Sequence, residues 1–407
     1  MAVTFQKATL PNGLTIIAET DPAAHTAACG FFVKTGARDE QRPRMGVSHF
    51  LEHMMFKGTE RRSAEDVNRQ FDEIGANYNA FTTSEMTAFH AHVLPERLPE
   101  ALDILADILR PSLRPADFDT EKGVILEEIA MYKDQPFWVL YEHALERFFG
   151  EHPLGYRVLG TEDTIRALER DQMDAYFRER YSADNTVLSL AGRLDFDHAV
   201  RLAEKLCGSW QRTGAARDAA PPAAAAGEFT LHDEKVTRAY MLALSPAPAM
   251  SDPRRYAAMM LAQVLGSSDN SRLHWALVEP GVAEEAQAGY EPHDGSGMFY
   301  LYASGDPERA AEIWALVERE VAGLVPSLTE ADLERLRNKL ATAVTLAGER
   351  PSGRMHRLGR LWPYLGSYLS LEDELAAINA VTLADLRAVA AAYPFQPRMF
   401  GRMLPKA

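Results

Sequence analysis

A pattern that occurs twice constrains this chain more than any other feature. Pro111-Ser112-Leu113-Arg114-Pro115-Ala116-Asp117 recurs as Pro326-Ser327-Leu328-Thr329-Glu330-Ala331-Asp332, 215 positions later. Ile165-Arg166-Ala167 and Ile378-Asn379-Ala380, 213 positions apart, each open a helical stretch that runs to an aromatic stop. Two nearly equal offsets in the same order point to an internal duplication. Between the copies, the segment from Thr213 to Gly227 is rich in Ala and Gly, carries the pair Pro221-Pro222, and offers no large side chain to bury. It reads as a linker. The expected division is a first domain 1–212, a linker 213–228 and a second domain 229–407 of the same topology.

Each half mixes the two hydrophobic periods. Residues 13–18 and 186–192 read as strands in the first half, with amphipathic helices near 96–110, 117–133, 163–180 and 196–207. The second half has strands near 229–232 and 239–245, and helices near 253–265, 307–323, 329–348 and 382–391. Strands and helices come in runs rather than in strict alternation, which predicts an α+β fold: mostly antiparallel sheets with helices packed on one side. Composition narrows the function. Lysine and arginine number 43 against 58 aspartates and glutamates, a net charge of −15, which disfavours a nucleic-acid backbone binder. Two cysteines, Cys29 and Cys207, exclude a disulfide scaffold and a Cys-rich zinc module, so any metal must be held by His and carboxylates. The first residues lack the charged start and apolar run of a leader, and no stretch is apolar for long enough to span a bilayer. The chain reads as cytoplasmic, with a periplasmic form as the alternative if a leader has been removed.

The segment from Gly46 to Phe56 is apolar almost all round, so as a helix it must be buried, yet it holds His49, Glu52 and His53. At 100° per residue Glu52 lies about −60° and His53 about +40° from His49, so the three share a face. Two imidazoles at i and i+4 can ligate one metal ion, and the Glu between them can reach a water bound to it. Two core histidines and a carboxylate without such a partner would be costly to bury.

His49-Phe50-Leu51-Glu52-His53-Met54-Met55-Phe56-Lys57-Gly58-Thr59 resembles the inverted zinc motif of the pitrilysin, insulin-degrading enzyme and mitochondrial processing peptidase family. Asn79-Ala80-Phe81-Thr82-Thr83-Ser84-Glu85, Leu159-Gly160-Thr161-Glu162, Tyr181-Ser182-Ala183-Asp184-Asn185 and Leu358-Gly359 follow in the family's order, so the resemblance covers nearly the whole chain and is nearest to the short, half-length bacterial branch.

A zinc site needs a third protein ligand, and Glu121, Glu127 and Glu128 are the candidates. Setting Glu121 at 0°, the apolar residues Val124, Ile125, Ile129, Met131 and Tyr132 fall between about 280° and 80°. Glu128 falls within that arc, Glu121 lies two turns earlier beneath it, and Glu127 lies on the polar side. The resemblance implies the same: Glu128 as third zinc ligand, Glu121 as a supporting acid that orients the ligands, and Glu52 as general base. It also implies that Asn79, Ala80 and Phe81 lie on an edge strand that pairs with an extended substrate beside the metal. His90, His92 and His152 show no ligand spacing and read as structural or surface residues.

The expected activity is that of an endopeptidase carrying one zinc ion per chain, its two domains enclosing half of a clam-shell chamber that admits unfolded peptides. A metal-free scaffold subunit and a zinc hydrolase of non-peptide substrates are the alternatives. One departure stands out. Active members of the family place an Arg, and a Tyr seven residues later, on the second half; here those positions fall on Val278 and on Glu284 or Glu285. Arg272 is too early and Tyr290 is out of register. The resemblance therefore leads us to expect a hetero-oligomer in which a partner subunit supplies that pair, with a homodimer as the alternative.

Overall fold

The computed structural model describes residues 3–218, 220–396 and 398–406. A six-stranded sheet is built from β1 (Thr4–Thr9), β2 (Thr15–Thr20), β3 (Ala27–Val33), β4 (Asn77–Thr82), β5 (Thr87–Val93) and β6 (Thr186–Gly192), in the order β1-β2-β6-β3-β5-β4. A five-stranded sheet is built from β7 (Gly227–Asp233), β8 (Ala239–Pro246), β9 (Glu285–Pro292), β10 (Gly297–Gly305) and β11 (Met399–Pro405), in the order β7-β11-β8-β10-β9. Removing β1 makes the two orders superimpose. In both sheets the one parallel pair, β2 with β6 and β7 with β11, occupies the same place among antiparallel neighbours. The duplication read from short sequence matches is thus present at the level of topology, and the fold is the expected α+β one.

The helices of the first half are α1 (Val47–Met55), α2 (Ala64–Glu73), α3 (Leu98–Ile108), α4 (Pro115–Lys133), α5 (Pro136–Phe149), α6 (Glu162–Ala167), α7 (Arg170–Arg180) and α8 (Phe196–Cys207). Those of the second are α9 (Arg255–Gly266), α10 (Ala310–Ser327), α11 (Glu330–Glu349), α12 (Pro351–Leu365), α13 (Leu371–Ala380) and α14 (Leu383–Ala392). Among the described residues, no single helix is long and apolar enough to cross a membrane. The single helix expected over 163–180 is two. Leu168, buried in the core, adopts an extended conformation between α6 and α7, and the Lys122 ammonium donates to the carbonyls of Arg166 and Leu168 at the break.

The chain divides by packing into two compact units that exchange segments: Ala130–Gly155, with α5, belongs to the unit of the second sheet, and Thr345–Tyr368, with α12, to the unit of the first. The two segments hold matching places in the repeat, as Pro136 and Pro351, which open the two helices, are 215 positions apart. The reason lies in the strands. β3 and β6 are buried along their whole length, on both faces. Cys29, Phe31, Leu188 and Leu190 meet the helices local to the first half, α1, α3 and α8, which lie on one face as expected. Ile17, Ala28, Phe32 and Val187 point the other way and are covered by Met355 and Leu358 of α12. The approach is close: a Cβ on Gly359 would stand 2.2 Å from the Phe32 ring, so only glycine fits there. In the other unit Leu140, Ala144 and Phe148 of α5 cover Leu242, Leu244 and Met403 in the same way. The linker, expected to bury no large side chain, buries one. Arg217 is a large side chain that is buried, with its guanidinium on Asp39 at 2.6 and 3.0 Å and on the Glu85 carbonyl.

Candidate active site

The site begins with how α1 is seated. Gly46 precedes the helix at φ +95°, and a Cβ there would lie 2.6 Å from the Leu159 carbonyl and 2.9 Å from Gly160 Cα. The Glu40 carboxyl accepts the Gly46 and Ser48 amides, both at 2.7 Å, and so satisfies the open N-terminus of α1. Burial pushes that carboxyl up to about 8, against the pull of the two amides. Val47, Phe50, Leu51, Met54 and Met55 are buried, and Phe50 stacks on Phe118 of α4 at 4.8 Å. His49 is buried, while Glu52 and His53 are half-buried. The polar face of α1 is its one open side.

On α4 the buried stripe is Phe118, Glu121, Ile125 and Ile129. It is narrower than the apolar arc expected from helical spacing, because Val124 and Met131 are 43% and 54% exposed. Those two lie at about 300° and 280°, off the stripe that packs. Glu128 consequently stands at the border of the stripe, half-buried, and Glu127 is exposed.

These two helices bring His49, His53 and Glu128 together, with one potential ligand atom from each within 4.8 Å of the others. His49 Nε2 and His53 Nε2 lie 3.8 and 3.7 Å from Glu128 Oε2. These separations are too long for hydrogen bonds and close to the roughly 3.3 Å between ligands of a tetrahedral ion with bonds of ~2.0–2.1 Å. His53 Nδ1 lies 2.9 Å from Glu121 Oε1. If Nδ1 donates there, the Nε2 lone pair is left facing Glu128, the arrangement that a metal-ligating imidazole requires. Glu121 is itself fixed by the Lys57 ammonium at 2.5 Å. Burial lowers His49 to about 4, helped by His53, so its ring is neutral and able to ligate at neutral pH. The donor set therefore fits a zinc ion.

Glu52 points past the pair. Its Oε2 accepts the Thr82 hydroxyl at 2.6 Å, and burial raises its pKa despite that bond and the nearby His53. Thr82 was not among the expected site residues. Its contact depends on β4 forming the sheet edge beside α1, which no local pattern encodes. Lys57 lies just beyond the end of α1, in the turn that follows the motif, and reaches Glu121 from there. β4 is the edge strand, paired only with β5, and it carries the three expected residues: Asn79, exposed, and Ala80 and Phe81, half-buried. Successive side chains alternate, so Tyr78 and Ala80 join the core on the α1 side while Phe81 packs toward α12.

Comparison with known families decides the relationship. Residues 15–162 match the family described as insulinase (peptidase family M16), and residues 167–340 match the peptidase M16 inactive domain. The chain belongs to peptidase family M16. Among its relatives, an uncharacterized zinc protease of Streptomyces coelicolor is 34% identical over 95% of this chain and 86% of the relative. The uncharacterized zinc protease YmxG of Bacillus subtilis is 32% identical over 95% of both. The fold matches that of a protease from Helicobacter pylori, with a TM-score of 0.90, 20% identity and 100% of both chains covered. It also matches a peptidase M16 inactive domain from Pseudomonas fluorescens, with a TM-score of 0.92, 17% identity and coverage of 100% of this chain and 98% of that one.

The second half of this M16 chain repeats the scaffold without the donors. Its counterpart of α1 is α9, which carries neither histidine nor carboxylate and is almost wholly buried. Among the described residues, His49, His53 and Glu128 are the one group arranged to hold a metal. At the positions where the resemblance places Arg and Tyr, Val278 is half-buried against the second core and Glu284 is paired with Arg238. The neighbouring candidates are engaged elsewhere: Arg272 with Glu320 at 2.8 Å, and the Tyr290 hydroxyl with the Pro248 carbonyl at 2.7 Å.

Proposed function

We propose that this chain is a zinc-dependent endopeptidase of short unfolded peptides, with one zinc ion held by His49, His53 and Glu128. The observation that carries the reading is the convergence of these three donors, with Glu52 beside them and Glu121 behind them. Zinc bound there supplies Lewis-acid chemistry, polarising a carbonyl and acidifying water. The protein's own residues do the rest. Glu121 and Lys57 hold the His53 ring in one tautomer and one orientation. Glu52, aimed by Thr82, accepts a proton from the attacking water and delivers it to the leaving amine. The open edge of β4, at Asn79, Ala80 and Phe81, pairs with the backbone of an extended peptide, which selects for unfolded substrates rather than for a sequence. Zinc content and cleavage of an unstructured peptide, measured together on the wild-type chain and on Glu52→Gln, test this reading. Equal turnover by the two overturns it.

The same reading extends to a partner. An Arg donor and a phenol at a developing oxyanion are worth about 3 kcal/mol each, and Val278, Glu284 and Glu285 cannot replace them. We therefore propose that the chain is the catalytic subunit of a hetero-oligomer whose other subunit carries the Arg and Tyr, a homodimer being the competing arrangement. Weak activity alone, raised at least tenfold by such a partner, is expected. Full activity of the isolated chain, unchanged by any partner, overturns the assignment.

A further inference from the structure

The face of the β4 edge that looks away from the zinc donors carries charge that the mechanism does not use. Three arginines of α12 project toward the first sheet or its edge. Arg354 and Arg357 both bind Glu19, at 2.8 and 3.2 Å. Arg360, one turn further on, is exposed and forms no ion pair among the described residues; its guanidinium lies 4.8 Å from the centre of the Phe81 ring. Stacking on a ring face leaves the guanidinium's N–H edge free to donate. Beside it, the His356 and His90 rings meet edge to face at 4.4 Å, and Phe81 lies against both at 6.1 and 6.4 Å. His356 Nδ1 is buried and makes no hydrogen bond within the protein. Burial holds both imidazoles down to about 4, helped by the Arg360 charge, so they are neutral hydrogen-bonding groups beside one uncompensated cation.

The register connects this cluster to the edge. Asn79 pairs with His90 across β4 and β5, and Phe81 leans toward α12. A peptide added to β4 presents every second side chain to that same face. From this juxtaposition we infer that Arg360, with His356 and His90, forms a subsite for a carboxylate of the docked peptide, either an Asp or Glu side chain or the terminal carboxylate. The inference rests on the proposed peptide reading of the site and adds a substrate preference to it.

The test uses the full zinc-loaded chain and a set of otherwise neutral peptides: amidated with Gln, amidated with Glu at each position in turn, and with Gln and a free C-terminus. Cleavage is measured with wild type, and binding by fluorescence anisotropy with Glu52→Gln. A preference of about tenfold for one carboxylate-bearing peptide over its neutral counterpart is expected. Arg360→Gln should bring that ratio close to one, and Arg360→Lys should restore part of it. The arm that responds tells a side-chain carboxylate from a terminal one. Cleavage without any carboxylate preference, or a preference that survives Arg360→Gln, overturns the subsite and leaves the peptidase reading standing. Carboxylate-dependent binding without cleavage overturns the peptidase reading and upholds the subsite. Absence of both binding and cleavage overturns the two together.

Discussion

Glu52 and Glu121 are both carboxylates beside His53, and their surroundings push them in opposite directions. Burial raises Glu52, whereas at Glu121 the His53 ring and the Lys57 ammonium outweigh burial and hold the carboxyl down. Such divergence separates a proton acceptor from a fixed anion. Glu52→Gln keeps the size and loses the basicity, so peptide cleavage should fall by at least a hundredfold while zinc, measured by atomic absorption, stays bound. Thr82→Val removes the hydroxyl that aims Glu52, along with its long 3.5 Å contact to the Thr87 hydroxyl, and kcat should drop about ten- to thirtyfold, the scale of one bond to a charged group. Glu128→Ala should strip the zinc and Glu127→Ala should not, since Glu127 faces solvent away from the two histidines. Stoichiometric zinc in the Glu128 variant would show that another residue is the third ligand.

Among the elements, α1 is held by backbone conformation as much as by its apolar faces. Gly46→Ala forces a Cβ into the Leu159 carbonyl at a positive φ. It should cost about 1–3 kcal/mol, seen as a lower Tm, together with weaker zinc retention as α1 shifts. What the sequence disclosed follows the same division between local and distant causes. His49, Glu52 and His53 share a face by helical spacing alone, and the same geometry puts Glu121 and Glu128 on one side of α4. The edge position of β4 and its contact through Thr82 depend on strand order, which residue spacing does not carry. Helices α5 and α12 were missed for another reason. Each covers the sheet of the other half, so its partners lie far off in sequence, and α12 carries Gly353, Gly359 and Pro363, which weaken any helical signal. Arg217 was passed over because a segment of Ala, Gly and Pro gives no sign that one of its side chains will be buried.

For the whole molecule, the exchange of segments sets what can fold alone. A fragment of residues 1–218 keeps every strand of the first sheet but loses α12, baring Ile17, Ala28, Phe32 and Val187. That apolar face has no polar substitute, so the fragment should bind a hydrophobic dye and unfold without a cooperative transition. A sharp, reversible thermal transition in the isolated fragment would show that α12 is dispensable. Likewise, the fragment 228–407 lacks α5 and should bare Leu242, Leu244 and Met403.

The exchange also bears on how the two halves find each other. Each half leaves one sheet face to be covered by a helix from the other, so a half-length chain of this topology would need a second copy to bury that face. The linker makes that encounter an intramolecular one, at an effective concentration of order millimolar. The two copies differ in what they carry: α1 holds the histidines, while α9 is an ordinary core helix in the same place of the repeat.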